Sequence, residues 1–325
     1  MGKFSFKVLI TEPEAYDDDT RAQFPPDWHL IYQPINNQDQ LRMELVNHDY
    51  DIVFAKLGLS FDQGIFLSQP HLKIVATPTT GLNHIDLIAA EAANILVVSL
   101  KGERQFLSTV TSTAEHAWLL LLAISRSLPV ATSRVASGQW ERQGMEVHEL
   151  RDAQLGIIGM GRLGKIVASY GLAFGMNIVA SDPNIEVYDF PEGVYPASLK
   201  HLLSTSDYIV LLASYTPGAP PILGVNEFSV IKPGASLVNV ARGELIDENA
   251  LLDALKQGSL RAAGLDVLSG DSVWNASDNP YSSILEFARS SSRVIITPHM
   301  AGYAFEAVKK TRLFLIDKVK AKLSP

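Results

Sequence analysis

Along the first hundred residues, short apolar runs alternate with segments of helical spacing. Phe6 to Ile10, Leu30 to Tyr32, Ile52 to Ala55, Lys73 to Ala76 and Ile95 to Val98 read as strands, and Asp39 to Val46 and Asp86 to Ala93 as helices. The strand runs are apolar throughout rather than alternating. That is the pattern of parallel strands buried on both faces, so it predicts a first α/β unit. Two turn-rich patches interrupt the unit, Pro78-Thr79-Thr80-Gly81 after the fourth run and Leu100 to Ser108 after the fifth.

A long apolar helix is expected from Ser112, because Ser112-x-x-Glu115 is a capping-box pattern set directly before Ala117, Trp118, Leu119 and Leu120. Its nearly continuous apolar surface marks it as buried, and Pro129 should end or kink it. A polar, linker-like segment runs from Ser137 to Asp152. Regular alternation follows, with a strand opening at Leu155 and later strands ending near Asp182, Ala213, Val240, Val267 and Pro298, six in all. A helix from Glu248 to Lys256 is capped by Asp247 and stopped by Gly258. Asp271 to Ser292 is polar and rich in Ser and Asn, hence loop with a short helix. The last helix runs from Tyr303 onward and returns to the first unit.

The segment QLGIIGMGRLGKIVASYGLAFGMNIVASD, from Gln154 to Asp182, has the most specific pattern. An apolar run ends at Gly159, which opens Gly159-x-Gly161-x-x-Gly164, and a helix follows with Leu163, Ile166, Val167, Tyr170 and Phe174 at helical spacing. Strand before, helix after and an acid at the next strand end are the context of a dinucleotide site. Gly159 permits the tight turn, Gly161 the approach of a pyrophosphate, and Gly164 the closure of helix on strand. Backbone N–H groups of Arg162 and Leu163 would face the phosphates at the positive end of the helix. Asp182 would accept hydrogen bonds from a ribose diol and repel an added phosphate, favouring NAD over NADP.

Composition narrows the function. The 325 residues suit about two domains. A net charge of −8 argues against a general nucleic-acid binder, since phosphate backbones call for a basic surface. The chain has no cysteine, which removes disulfides, thiolate metal sites and a cysteine nucleophile, and fits a reducing compartment. The N-terminal residues turn acidic and do not resemble a signal peptide. The longest apolar run, Ala117 to Ile124, is too short for a bilayer. A soluble cytoplasmic protein with no membrane contact is expected.

Ligands of open α/β sheets bind beyond the carboxyl ends of the strands. Arg242 after SLVNVA, Asp266 after RAAGL and His299 after VIITP all fall there, on the edge that carries the glycine turn. With LGIIGMGRLGK and the following SDP, the pieces LVNVARGELIDENALLDAL, AAGLDV and ITPHMAG resemble the NAD-dependent D-2-hydroxyacid dehydrogenase family in order and spacing, over nearly the whole chain.

The resemblance implies a doubly wound, Rossmann-type parallel-sheet domain, residues 107–301. It would be inserted into a discontinuous flavodoxin-like α/β domain formed by 1–106 and 302–325, commonly as a homodimer. It implies NAD as cofactor and a small 2-keto or 2-hydroxy acid as substrate. Arg242 would bind the substrate carboxylate and keto oxygen, His299 would be the general acid, and Asp266 would meet the nicotinamide carboxamide. Thr216, Val240 and Ala241 would line the cofactor, and Thr80 and Gly81 would form the turn whose amides hold the substrate carboxylate.

The chain departs from the family where Glu commonly stabilises the protonated histidine. Asp271 stands there, with the same charge on a stem one methylene shorter, so it would have to approach more closely. Asn83 replaces a common Asp, Leu212 and Ser214 replace His and Pro, and the stretch from Gly102 to Glu115 is longer than usual. His84, His116, His148 and His299 show no metal-ligand pairing. The alternative reading is an NAD(H)-sensing, corepressor-like binding protein on the same scaffold.

Overall fold

The computed structural model describes residues 5–186, 189–271 and 282–323. Counting those residues, the chain divides into two compact units, one of 5–110 with 303–323 and the other of 111–271 with 282–302.

The first unit is built on β1 (Phe6–Ile10), β2 (Trp28–Tyr32), β3 (Ile52–Phe54), β4 (Ile74–Ala76) and β5 (Leu96–Val98), all parallel, in the order β2-β1-β3-β4-β5. This is the flavodoxin-like order. Strand alternation divides its apolar residues between two cores. Leu9, Val53 and Val75 face one layer with Leu41 and Leu45 of the helix Gln38–Asn47. Val8, Ile10, Ile52, Phe54 and Ile74 face the other, closed by Leu315, Ile316 and Val319 of the helix Phe305–Leu323. The expected strands and helices are present within one or two residues. The helix Gln63–Ser68 was not expected, although Asp62 caps it by accepting from the Ile65 N–H at 2.9 Å.

The second unit is a parallel sheet of β6 (Gln154–Ile158), β7 (Asn177–Ser181), β8 (Val194–Pro196), β9 (Tyr208–Leu211), β10 (Ala235–Asn239), β11 (Leu260–Leu265) and β12 (Val294–Ile296). Its order is β12-β11-β10-β9-β6-β7-β8, so the chain reverses direction across the sheet between β6 and β9, beside the glycine turn. Among the described residues seven strands stand where six were expected. The addition, β8, has three residues at the sheet edge, with Tyr195 exposed, and too little apolar surface to stand out as a run.

Two expectations about the long helix are corrected. Ser112 is its first residue but does not cap it. Thr111 precedes the helix and its hydroxyl bonds Glu115 at 2.5 Å, while the buried Ser112 hydroxyl donates to the Ala301 carbonyl at 2.6 Å. Pro129 does not stop the helix either. Ser112–Ser125 ends before Ser127, which is left-handed at φ 48°, and Pro129 lies in the first turn of a new helix, Leu128–Ala136, where its missing N–H costs nothing.

Arg104–Ser125 is apolar and long enough to pass for a bilayer span by composition. Its second helix, however, puts Ala117, Leu120, Leu121 and Ile124 into the core of this unit. Residues 137–150 form no helix or strand, and Glu248–Gln257 is capped by Asp247 and ended by the left-handed Gly258 as expected. Of the polar loop expected from Asp271 to Ser292, 272–281 lies outside the described residues and Ser283–Ser290 is helix.

The C-terminal helix is tied to the end of β1 by charge as well as by apolar packing. Arg312, buried, pairs with Glu12, which also accepts from the Tyr303 hydroxyl at 3.1 Å. Burial, and then the Glu12 carboxylate, push that hydroxyl up to about 12, so it remains a donor. Arg312→Ala would leave the largely enclosed Glu12 carboxylate without its cation. The expected loss is about 3–5 kcal/mol of unfolding free energy, measured by urea denaturation.

Candidate active site

At the end of β6, Gly159 turns the chain with φ 95°, and a Cβ there would lie 2.6 Å from the Ala213 nitrogen just past β9. At Gly164 a Cβ would fall 2.3 Å from the Gly159 carbonyl, so the helix Arg162–Ala173 can sit this close to the strand only without a side chain. Around Gly161 a Cβ would meet no atom within 4 Å, and this residue precedes the helix without a side chain to cap its first N–H groups. The result is an open, side-chain-free cradle at a helix start, which fits a pyrophosphate. Arg162 and Leu163 are the first two helical residues, and partial burial lowers the affinity of the Arg162 guanidinium for its proton.

Asp182, directly after β7, accepts from the Met160 N–H at 2.9 Å and from the Asn184 N–H at 3.0 Å. The acid expected at the ribose is thereby fixed against the glycine turn itself. Past β9 and β10 lie Thr216, exposed, Val240, buried, and Ala241, half-buried.

Asn239 shapes the end of β10. Its buried side chain accepts from the Ala241 N–H at 3.0 Å and donates to the Arg242 carbonyl at 2.9 Å, locking the turn that presents Arg242. The Arg242 guanidinium is half-buried and donates to its neighbour's carbonyl, Ala241 O, at 2.7 Å. Among the described residues no carboxylate pairs with it, so most of its planar fork of donors is not engaged. A strand-end arginine held for structure alone would be expected to carry an acidic partner.

Next to Arg242, Gly243 rests on the loop that follows β11. A Cβ there would be 2.0 Å from the Leu268 carbonyl carbon. This loop is braced by two carboxylates that sequence reasoning did not single out. Glu248 accepts from the Ser269 N–H at 2.7 Å and Glu244 from the Gly270 N–H at 3.3 Å. The loop folds back so that Asp271 accepts from the Leu268 N–H at 3.1 Å. The same Asp271 oxygen lies 3.0 Å from His299 Nδ1, with the aspartate side chain 7% and the histidine 23% exposed. The shorter acid does reach the imidazole, because the turn carries it there. A carboxylate only accepts, so Nδ1 carries a proton and Nε2 is the nitrogen left to exchange one with a substrate.

His299 itself has φ 53°, a conformation that costs about 1–3 kcal/mol for a residue with a side chain. Its N–H is held by the carbonyls of Asp266 at 2.8 Å and Thr297 at 2.9 Å. The Asp266 side chain, expected beside the nicotinamide, has no exposed surface. Its oxygens accept from the Met300 N–H at 3.0 Å, the Ala301 N–H at 2.7 Å and the Thr297 hydroxyl at 2.5 Å. In this structure Asp266 anchors the histidine loop.

The second unit thus gathers Arg242, Asp266, Asp271 and His299 at one sheet edge, the edge of the glycine turn and Asp182. Thr80 and Gly81 belong to the first unit, in the turn after β4. That turn is stiffened by Thr79, whose hydroxyl donates to the Gly81 carbonyl at 2.7 Å and contacts the Thr77 hydroxyl at 3.1 Å.

A family model described as D-isomer specific 2-hydroxyacid dehydrogenase, NAD binding domain, matches residues 118–301. D-3-phosphoglycerate dehydrogenase of Mycobacterium bovis is 32% identical over 291 residues, 89% of this chain and 52% of that protein. The chain therefore spans about half the length of that relative. Hydroxypyruvate reductase of Thermotoga maritima is 32% identical over 271 residues, 83% of this chain and 84% of that protein. Among solved structures, a D-lactate dehydrogenase from Aquifex aeolicus complexed with NAD and lactic acid is similar with TM-score 0.80 and 26% identity, covering 98% of this chain and 95% of that one.

The contact between Gly243 and the Leu268 backbone is rigid on both sides. Gly243→Ala should cost about 1–3 kcal/mol in thermal or urea unfolding by overpacking. It should also move Asp271 away from His299, seen as a displaced imidazole resonance in the NMR spectrum.

Proposed function

Because the chain belongs to the D-isomer-specific 2-hydroxyacid dehydrogenase family, we propose that it interconverts a small D-2-hydroxy acid and its 2-keto acid with NAD(H) as the hydride carrier. The observation that carries this reading is the 3.0 Å pairing of Asp271 with His299, set on the same sheet edge as an arginine that no described carboxylate neutralises.

Bound NADH supplies the hydride. The chain's own residues manage charge and protons. Arg242 offers paired N–H donors to the substrate carboxylate and keto oxygen, a geometry that a planar guanidinium matches in a bidentate way. As negative charge builds on the keto oxygen, His299 delivers its Nε2 proton to it, and Asp271 stabilises the imidazolium from the Nδ1 side. In the oxidative direction the neutral imidazole takes the hydroxyl proton back. Gly159, Gly161, Arg162, Leu163 and Gly164 would hold the pyrophosphate and Asp182 the ribose. Thr216, Val240 and Ala241 would line the remaining cofactor surface, with Asp266 at its floor. A protein that only senses NAD(H) has no use for a proton-transfer pair, so the geometry favours the enzyme.

The reading extends to a cytoplasmic homodimer acting on small acids, without a nucleic-acid or membrane partner. The acidic, cysteine-free composition fits the compartment. Leu119, Leu128, Val135, Val147 and Trp140, the last 91% exposed, give the second unit apolar surface that a second copy could cover.

The test is a panel of 2-keto acids with NADH, followed by loss of NADH absorbance. Turnover is expected with at least one small keto acid, and NADH bound tightly with no turnover of any would overturn the reading. His299→Gln should lower kcat by about 10²–10⁴-fold, the worth of a positioned general acid. Its NADH affinity, measured by fluorescence titration, should stay near that of the unaltered protein.

A further inference from the structure

Near its start, the otherwise apolar inner side of the helix Ser112–Ser125 carries two polar residues one turn apart. Ser112 donates to the Ala301 carbonyl at 2.6 Å. Four residues on, and therefore on the same face, His116 places Nε2 2.9 Å from the Thr297 hydroxyl and 3.4 Å from the Asp266 carboxylate, with its side chain 10% exposed. Thr297 and Ala301 are the two ends of the loop that carries His299. We propose that His116, seconded by Ser112, is a positioning residue that holds the His299 loop in its left-handed conformation. The catalytic consequence rests on the dehydrogenase reading above.

The direction of the hydrogen bonds follows from the donor inventory. An ionised Asp266 can only accept, so the Thr297 hydroxyl spends its single proton on Asp266 at 2.5 Å. The Thr297 oxygen is then the acceptor for His116, whose Nε2 must carry the proton. A directed chain results, from His116 through Thr297 to Asp266. Asp266 in turn takes the N–H groups of Met300 and Ala301 through its two oxygens. Without His116, the Thr297 oxygen loses its own donor, and the hydroxyl that donates to Asp266 is no longer fixed from the helix side. The carboxylate, with no solvent contact, also loses the ring N–H that stands 3.4 Å from it. The loop it anchors also includes a residue, His299, whose backbone is already strained. The Nδ1 contact to Asp271 requires that backbone to stay where it is. Polar groups on the buried face of an apolar helix are destabilising unless satisfied, and here both are satisfied by this one loop.

The experiment compares His116→Leu, His116→Gln and Ser112→Ala in the full chain. Amide hydrogen exchange at Met300 and Ala301 is read alongside kcat, KM and NADH affinity. His116→Leu should speed exchange at both amides by about tenfold, the equivalent of one hydrogen bond. It should lower kcat by about 10²-fold, the scale of a small misplacement, with little change in NADH affinity. Glutamine can stand its amide N–H near the place of Nε2, so His116→Gln should recover most of both. Ser112→Ala should speed exchange at the Ala301 end, and it carries the test with His116→Gln where the leucine variant does not fold.

Unchanged exchange and kcat in His116→Leu would overturn the proposal, as would glutamine and leucine variants that fail alike. If the unaltered protein reduces no keto acid, the dehydrogenase reading falls, and the exchange rates still decide whether His116 grips the loop.

Discussion

The Asp266 carboxylate sits where water cannot reach it, and a charge in that position persists only when donors surround it. Two backbone amides and a hydroxyl supply them, and all three come from the segment after β12. The dependence runs both ways. The segment satisfies the carboxylate, and the carboxylate dictates the path of the segment. His299 lies inside that path, so the position of the proposed proton donor is set by an ionic group that need not touch substrate. A second layer of carboxylates, Glu244 and Glu248, does the same for the loop bearing Asp271. Acids holding backbone N–H groups are thus the common means by which this sheet edge is shaped.

Much of the architecture was legible because parallel strands covered on both faces are apolar throughout. β1, β3 and β4 stood out for that reason, and the helix Glu248–Gln257 stood out by its cap and its terminal glycine. What was lost depended on tertiary context. β8 has too few apolar positions to show as a run. Ser112 has the right spacing for a cap, but a carbonyl almost two hundred positions further along the chain takes its hydroxyl. Pro129 disfavours the interior of a helix and suits its first turn, and which of these applied turned on the left-handed Ser127.

The site divides in the same way. The glycine turn and Asp182 were readable from local pattern alone. Arg242, Asp266 and His299 were placed on one edge by strand order, and Asp271 by resemblance. Whether the shorter acid would meet the histidine depended on how the loop 268–271 folds, which no periodicity encodes. His116 was the hardest to see. One histidine in an apolar helix looks like a packed side chain, and only its spacing from Ser112 hinted that both serve one partner.

The helix Phe305–Leu323 has a consequence for how the molecule is made. It covers part of one face of the first unit's sheet, beside Tyr16 and Phe24, yet it lies downstream of every described residue of the second unit. During synthesis from the N-terminus, Val8, Ile10, Ile52, Phe54 and Ile74 emerge early and wait without the last part of their cover while the second unit is completed. The order of maturation is therefore the reverse of the order of emergence. The intervening unit can close its sheet first, and the older one is sealed last, when Glu12 meets Arg312.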